Sequence, residues 1–394
     1  MQSREWGDLQ SVLLHEPGTE SLLGLLATHP FHFGEPFDVT GAKWEHQNLR
    51  FLLEARDVQV FTLRNALTEG ALDWNGEPRS GEALKRLKRA VNEAIEFTFS
   101  DQITHPERSR VHDNWRKTLD RTHPNDLAEL ILLSPRLHIK NDPCNQRLMT
   151  EYHLHPSSQL HSIRDSSMIT RQGIIIGRSA HPERRWEQKI LHLAIAQLGI
   201  ASLCTVESPG VLEGGDFVPA GEFVFQGEGA CTDRDGIEQV LEQGAYGQVE
   251  VAVVRDPDPV DQQRHLEDYF MMIADGHAVV EESRLKGKRE PTVEVHQPSG
   301  NGVSFEYQQK PSVKFSDYLD RKGIKVGAFP FDGPSVSASI FGLGGREVVI
   351  SARSRHYQGI LEEEGFKVQV LEMGQADESA SGGLHSLAQA LVRR

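Results

Sequence analysis

The stretch Asp165–Glu207, DSSMITRQGIIIGRSAHPERRWEQKILHLAIAQLGIASLCTVE, decides the fold, because its pattern recurs along the chain. A short apolar segment, a glycine turn, a second apolar segment, an amphipathic helix and a third apolar segment follow one another. The same order returns in Asp216–Val254, begins again at Asp268 and returns in Ser335–Met373, and Leu9–Leu63 is a looser copy. This repetition predicts an α/β protein built from about five similar units.

One such unit cannot bury both of its faces alone, whereas several units around a common axis can. We therefore predict a five-fold pseudo-symmetric α/β propeller, because radial repetition protects strand edges. An open doubly wound sheet is the alternative. We expect residues 1–394 to form a single catalytic domain that contains a helical insert at 71–153 and a smaller polar excursion at 284–325.

The overall charge argues against a nucleic-acid partner. The formal net charge is −15, whereas proteins that neutralise phosphates carry a basic face. The densest basic run, Ala83–Phe97, has apolar residues at helical spacing, which predicts a solvated helix face. No segment has the length and apolarity of a membrane span, so we expect no membrane partner.

Cysteine usage argues against a disulfide framework and a zinc site. The three cysteines, Cys144, Cys204 and Cys231, are few and widely separated. Cys204 lies in an apolar, strand-like segment and is expected to be a small core residue. The N-terminus has no apolar stretch of the kind found in signal peptides. We therefore expect a cytoplasmic protein with no metal and no cofactor.

Polar groups stand where the units begin. Asp165, Glu213, His265 and Glu267 all precede apolar segments, and a glycine-rich tail, SASGGLHS, precedes the last one. Taken singly, each of these features is more often a turn residue, a helix cap, a surface histidine or a flexible chain end than part of a functional site. In a cyclic arrangement, however, these ends converge on one cavity. Several buried carboxylates without metal-ligand spacing favour an organic cation, and a guanidinium pairs with carboxylates through a planar fork of donors.

At this point the sequence resembles the arginine deiminases and related guanidino-group-modifying enzymes, including the amidinotransferases. The resemblance rests on LQSVLLHEPGTE, SIRD, ERRWE, LEGGDFV, HLEDYFMM and SGGLHS, in this order, and covers nearly the whole chain. It implies a five-bladed α/β propeller and a helical insert after the first unit. It also implies a small guanidino compound as the substrate, arginine by default, with citrulline and ammonia as products of a covalent amidino-enzyme intermediate.

The resemblance implies a catalytic role for several of these side chains. Asp165 and Glu267 would hold the guanidinium, although the family usually has Asp at the second position. His265 would be the general acid and base, and Glu213 would orient it. Asp216 would be structural.

Other residues are implied at the amino-acid end of the substrate and in the tail. Arg184 or Arg185 would pair with the substrate carboxylate. Gln159 stands where arginine deiminases usually have Asn, and Gly383 of the tail would contact the substrate. Cys231 stands where they usually have a second carboxylate-binding Arg. These departures leave a modified arginine, or amidino transfer to an amine, as alternatives.

Ser386 occupies the position of the family's catalytic cysteine. A thiolate is a strong nucleophile at neutral pH, whereas a serine hydroxyl needs a strong base in contact with it. We therefore expect this chain to be nearly inactive, either as a Cys-to-Ser replacement or as a natural non-catalytic relative that binds arginine. A homodimer is expected only by analogy with relatives.

Overall fold

The protein is a mixed α/β molecule. The computed structural model describes residues 2–26, 37–145, 147–258, 264–299, 306–330, 339–375 and 383–394. Residues 379–382 of the glycine-rich tail lie outside the described residues. In the described part of the chain, no helix is both long and apolar enough to cross a membrane.

The strands are numbered in chain order. They are β1 (Leu9–Leu14), β2 (Gln59–Thr62), β3 (Glu96–Phe99), β4 (Arg136–Asn141), β5 (Leu148–His153), β6 (Ser167–Ile169), β7 (Ile174–Ile176), β8 (Ser202–Thr205), β9 (Phe217–Pro219), β10 (Phe223–Glu228), β11 (Glu250–Arg255), β12 (Phe270–Ala274), β13 (His277–Glu281), β14 (Thr292–Pro298), β15 (Tyr307–Gln309), β16 (Val313–Lys314), β17 (Lys325–Phe329), β18 (Ile340–Gly344), β19 (Glu347–Ser351), β20 (Lys367–Leu371) and β21 (Ala388–Arg393).

The helices are numbered in the same way. They are α1 (Thr19–Leu25), α2 (Val39–Glu54), α3 (Leu63–Thr68), α4 (Glu82–Ala94), α5 (His105–Arg121), α6 (Pro124–Leu133), α7 (Arg185–Gln197), α8 (Arg234–Glu242), α9 (Phe315–Arg321), α10 (Gln358–Glu363) and α11 (Gly383–Ser386). Short 3-10 turns matter for the site, and three of them directly precede a first strand: Ile163–Ser166, Gly214–Asp216 and Leu266–Asp268.

Five sheets share one connectivity, which matches the repeat in the sequence. An antiparallel pair of strands is followed by a crossover helix and then by a third strand parallel to the second. The strands and crossover helices are β6-β7-β8 with α7, β9-β10-β11 with α8, β12-β13-β17 with α9, β18-β19-β20 with α10, and β21-β1-β2 with α2. The strands of the described residues therefore form separate small sheets and not one open doubly wound sheet.

The fifth unit is assembled from both ends of the chain. β1 pairs in parallel with β2 and antiparallel with the C-terminal β21, so that Val12 lies between Val60 and Ala390. The N-terminal copy looks looser in the sequence because its first strand comes from the opposite terminus. The C-terminal tail is thereby fixed within a sheet, and α11, which carries Ser386, is held just before β21.

The two interruptions of the repeat have their own structure. Residues 71–153 carry α4, α5 and α6, and also the sheet β3-β4-β5, which the helical pattern did not predict. In α4, Leu87 and Val91 are buried while Lys85 and Arg89 are exposed, which is the solvated basic face expected there. Within 284–325, β14, β15 and β16 widen the sheet of β11, whereas α9 is the crossover helix of a repeat unit.

Aromatic packing joins neighbouring units. Phe225 of β10 lies with its ring centroid 4.6 Å from that of Phe270 on β12, and Phe270 lies 5.2 Å from Phe315 on α9. All three are buried. The 3-10 turn Gly214–Asp216 contacts both Ile163–Ser166 and Leu266–Asp268, and α11 contacts Ile163–Ser166. The beginnings of four units therefore meet, and they bring the predicted polar groups together.

Candidate active site

The meeting point of these turns is a buried cluster of charged side chains. Asp165, Glu213, His265 and Glu267 are each at most 3% exposed. One oxygen of Asp165, one nitrogen of His265 and one oxygen of Glu267 lie within 4.8 Å of one another. Residues separated by about a hundred positions in the sequence therefore share one site.

Glu213 and His265 form a hydrogen-bonded pair. His265 Nε2 lies 2.9 Å from Glu213 Oε2, and the Ser179 hydroxyl donates to Glu213 Oε1. Burial acts to raise the pKa of Glu213, but Arg184 and the hydrogen bond with His265 lower it more, so that Glu213 is ionised. An ionised carboxylate only accepts hydrogen bonds, so His265 Nε2 carries a proton and donates it to Glu213.

His265 itself favours the charged state. Burial acts to lower the pKa of His265, but Cys231, Asp165 and the bond to Glu213 raise it well above the ordinary value. The imidazolium can then deliver a proton to a leaving amine, which is the role of a general acid.

The guanidinium of Arg184 lies among three carboxylates. Arg184 Nη2 donates to Asp165 Oδ2 at 3.2 Å, Nε donates to Glu187 Oε2 at 3.0 Å, and Nη1 lies 3.7 Å from Glu213 Oε2. The resemblance implies that Arg184 or Arg185 pairs with a partner outside the protein, the substrate carboxylate. In this structure Arg184 is instead paired within the protein, while the half-buried Arg185 donates through Nε to the Ser179 carbonyl at 3.4 Å.

A second network surrounds Glu267. Glu267 Oε2 accepts from Arg164 Nε at 3.0 Å and lies 2.7 Å from His385 Nδ1, and His385 Nε2 lies 2.8 Å from Glu5 Oε1. Arg164 Nη2 also donates to the Phe217 carbonyl at 2.9 Å. Burial acts to raise the pKa of Glu267, but His385 and Arg164 lower it below the ordinary value. Glu267 is therefore held as an ionised carboxylate by its contacts with His385 and Arg164.

Ser386 lies in the same region. It is fully buried on α11, the helix that contacts the turn carrying Asp165, and its hydroxyl donates to the Gly383 carbonyl at 2.9 Å. Gln159 also lies in this region, and its backbone N–H donates to Glu187 Oε1 at 3.0 Å. Gly383 begins α11, with a positive φ of 60° that favours glycine.

Two further carboxylates position the His265 turn. Asp216 Oδ1 accepts from the Leu266 N–H at 2.8 Å, and Asp268 Oδ2 accepts from the His265 N–H at 2.9 Å. Burial raises the pKa of Asp216 to about 6 and that of Asp268 to about 7. The structural role expected for Asp216 fits these contacts.

The glycines of the LEGGDFV motif permit the close approach of the turns. A Cβ on Gly214 would lie within 3.0 Å of the backbone carbonyl oxygens of Arg164 and Ser167. A Cβ on Gly215 would lie 2.7 Å from His265 Cγ. Side chains at these positions would push the Asp165 turn and His265 away from Glu213.

Several residues of the site could not be predicted from the sequence. The motifs SIRD, ERRWE and GGLHS contain Arg164, Glu187 and His385, but the motifs alone do not indicate a role for these three residues. Glu5 carried no signal at all, because an isolated acidic residue near a terminus is usually exposed. Cys231 was noted only as a replacement for Arg, yet its sulfur, a Glu213 oxygen and a His265 nitrogen lie within 4.8 Å of one another.

This sulfur, nitrogen and oxygen set is also the kind of donor group that binds zinc. A divalent cation would, however, have to displace Arg184 from its position 3.7 Å from Glu213. Like charges at such a distance repel strongly in a buried site. The arrangement is better suited to an organic cation, whose N–H groups can replace those of Arg184, than to a metal ion.

Fold and site define a member of the enzymes that modify guanidino groups, in the general class that hydrolyses amidine C–N bonds. The chain belongs to the arginine deiminase family, whose model matches residues 30–332. An arginine deiminase from Halobacterium salinarum is 22% identical over an alignment of 394 positions, which covers 82% of this chain and 77% of that protein.

Solved structures of related enzymes share the fold. A Cys-to-Ser mutant of the dimethylarginine dimethylaminohydrolase from Pseudomonas aeruginosa, complexed with citrulline, is similar with a TM-score of 0.54 at 14% identity, over 97% of this chain and 98% of that chain. An amidinotransferase from Microseira wollei, in the saxitoxin biosynthetic pathway, is similar with a TM-score of 0.55 at 14% identity, over 100% and 97% of the two chains. At these identities the likeness concerns the fold.

Proposed function

We propose that this chain is built to act on a guanidino substrate and that the reaction of its site is the hydrolysis of arginine to citrulline and ammonia. One observation carries this proposal: a guanidinium, that of Arg184, already lies between the carboxylates of Asp165 and Glu187 and 3.7 Å from Glu213. The cluster thus has the charge and the acceptor geometry for a flat cation with several N–H donors.

The proposed architecture is a single catalytic domain over residues 1–394 in which the five equivalent sheets form a five-bladed propeller. Residues 71–153 and 284–325 are additions to it. The fifth sheet supports a closed ring, because the N-terminal β1 and the C-terminal β21 pair within it.

The proposed roles follow from the contacts. A substrate guanidinium displaces Arg184 from Asp165 and is held by Asp165 and Glu267. Arg184, once released, would pair with the carboxylate of the same substrate. His265, oriented by Glu213, protonates the amine that leaves and later activates the water that hydrolyses the amidino intermediate.

The amino-acid end of the substrate is the less defined part of the proposal. Gln159, Arg185 and Gly383 lie around the site or in α11 and are assigned to substrate binding. Cys231 stands where arginine deiminases usually have Arg. A modified arginine is therefore the alternative substrate, and an amine that intercepts the amidino intermediate would make the enzyme an amidinotransferase.

The serine at position 386 limits the rate of the proposed reaction. The guanidinium carbon is a resonance-stabilised electrophile and needs a strong nucleophile such as a thiolate. Loss of a covalent nucleophile costs on the order of a million-fold in rate. We therefore propose that the route through Ser386 is closed in this chain.

A non-catalytic guanidino-binding protein is the second candidate, and two observations favour it. The Ser386 hydroxyl donates to the Gly383 carbonyl instead of to a base, and the carboxylates that would clamp a substrate are paired with protein cations. Such a protein would bind arginine with no turnover, whatever residue stood at position 386.

The experiment compares the unmodified chain, with Ser386, and the Ser386→Cys variant. Arginine binding is measured by calorimetry, and ammonia and citrulline are measured after incubation with arginine. We expect both forms to bind arginine and Ser386→Cys to release ammonia faster, because a thiolate opens the route through residue 386. His265→Ala in the Ser386→Cys background is the control and should abolish release. Binding without release from either form would favour the second candidate, and absence of binding would exclude both.

A further inference from the structure

Cys231 is held rigidly beside the site. It is 1% exposed and lies between β10 and α8. The next residue, Thr232, donates its hydroxyl to Asp216 Oδ2 at 2.6 Å and accepts the Glu213 N–H at 3.1 Å. The Cys231 loop is therefore fixed to the same LEGGDFV turn that carries Glu213.

The Cys231 thiol, His265 and Glu213 form a compact group. The sulfur, a ring nitrogen and a carboxylate oxygen lie within 4.8 Å of one another. Glu213 fixes His265 through Nε2, and among the described residues His265 Nδ1 has no hydrogen-bond partner. A thiol beside an imidazole that is oriented by a carboxylate is the arrangement that activates cysteine nucleophiles.

Asp165, whose carboxylate also lies near His265, is prepared for a cationic ligand. Asp165 Oδ1 is buried and has no hydrogen-bond partner in the described part of the chain. A buried carboxylate oxygen without a donor is costly, so this oxygen favours an N–H group from a ligand. Because Asp165 and Cys231 both lie close to His265, a guanidinium bound at Asp165 would have its carbon near the imidazole that adjoins the thiol.

A bound cation would assist ionisation of Cys231. Burial raises the pKa of the Cys231 thiol above its ordinary value and Glu213 acts in the same direction, whereas His265 and Arg264 act to lower it. An imidazolium stabilises a neighbouring thiolate, and a bound guanidinium would add a second positive charge. Binding of the substrate would therefore shift the thiol toward the thiolate.

We propose that Cys231 is the nucleophile by which this chain attacks a guanidino carbon, in place of residue 386. The inference rests on the proposed function, because it uses the same guanidinium site. The Cys231 thiolate forms a bond to the guanidino carbon, and His265 gives its proton to the amine as the C–N bond breaks. Ammonia and an amidino-thioether result. Water then adds to the same carbon, the C–S bond breaks, and citrulline and the thiol are released.

Alkylation of the unmodified chain tests this assignment. Chloroacetamidine carries the planar cation of the site, and chloroacetamide is its neutral counterpart. Peptide mass mapping measures the labelling of each cysteine by either reagent, with and without arginine. We expect chloroacetamidine to label Cys231 at least tenfold faster than chloroacetamide does, and arginine to slow this labelling. Cys204, which is buried in an apolar cluster, is the internal control and should show neither effect.

Turnover supplies the second measurement. Ammonia release from arginine by the unmodified chain should disappear in Cys231→Ser and persist in Cys204→Ser, with unfolding curves confirming that both variants are folded. Equal labelling by the two reagents, labelling that arginine does not slow, or release that survives Cys231→Ser would overturn the assignment. If arginine still binds in calorimetry, the guanidino site stands and only Cys231 is wrong; if it does not bind, the proposed function also fails.

Discussion

Replacing Arg184 with alanine tests whether the carboxylate cluster recognises a guanidinium as such. The change removes a buried cation that contacts Asp165 and Glu187 and lies 3.7 Å from Glu213. Breaking a buried ion pair by removing one partner costs about 3–5 kcal/mol. With an unfolding entropy of about 2.1 cal/mol/K per residue, the 394 residues give about 0.8 kcal/mol/K. Arg184→Ala should therefore lower the melting temperature by about 4–6 °C.

A free guanidinium should restore much of this loss. Ligand that binds only the folded state stabilises it by about 2.7 kcal/mol when its concentration is a hundred times Kd. That free energy corresponds to a rise of about 3 °C in the melting temperature of the variant. Thermal unfolding is measured with millimolar guanidinium, methylguanidine or arginine, and with tetramethylammonium as a cation that has no N–H donors.

The matched control is Arg185→Ala, because Arg185 adjoins Arg184 in the chain but bonds to the Ser179 carbonyl. Guanidinium should leave the melting temperature of this control and of the unmodified chain nearly unchanged, since Arg184 still fills the cluster. If guanidinium stabilises Arg184→Ala no more than Arg185→Ala, or if tetramethylammonium acts equally well, the cluster does not recognise the guanidinium group and the central argument fails.

Two further predictions concern the turns that form the site. Folding raises the pKa of Asp268 from 3.8 to about 7, so the proton that Asp268 binds stabilises the folded state at low pH, and this stabilisation is lost as the pH rises through 7. Between pH 4 and 8 the free energy of unfolding of the unmodified chain, measured in urea, should fall by up to about 4 kcal/mol relative to that of Asp268→Asn. Parallel plots of unfolding free energy against pH for the two proteins would refute this. Gly214→Ala should cost about 1–3 kcal/mol, because its Cβ meets the carbonyls of Arg164 and Ser167. Gly359→Ala, where a Cβ meets no atom within 4 Å, is the control and should cost nothing; equal effects would argue against the steric reason.

The repeat was readable from the sequence because each unit must bury a strand and one face of a helix. Apolar runs such as Ile174–Ile176 and the stripe of α7 record that burial directly. The strands of β3-β4-β5 were not predicted, because they are largely half-buried or exposed, and such strands carry little apolar alternation. Pairing between β1 and β21 joins the two ends of the chain and has no local signal.

The clustering of carboxylates could be predicted from the sequence where they precede apolar strands, as at Asp165 and Glu213. The side chains that pair with these carboxylates could not be predicted. Whether Arg184 turns toward a substrate or toward Asp165 depends on where α7 sits relative to the turns, which is a tertiary property. Glu5 reaches His385 across almost the whole length of the chain, at 2.8 Å, and no spacing rule covers such a contact.

The pairing of the carboxylates with protein cations limits the free energy that ligand binding can gain. A guanidinium that enters does not neutralise a free carboxylate pair, since Arg184 already bonds Asp165 and Arg164 already bonds Glu267. Binding is then largely an exchange of one guanidinium for another, plus the hydrogen bond that Asp165 Oδ1 still lacks among the described residues. A hydrogen bond to a charged group contributes about 1.5–3 kcal/mol. The site therefore selects the shape and donors of its ligand more strongly than it selects positive charge, and lysine-like cations, which lack the planar fork, should compete poorly with Arg184.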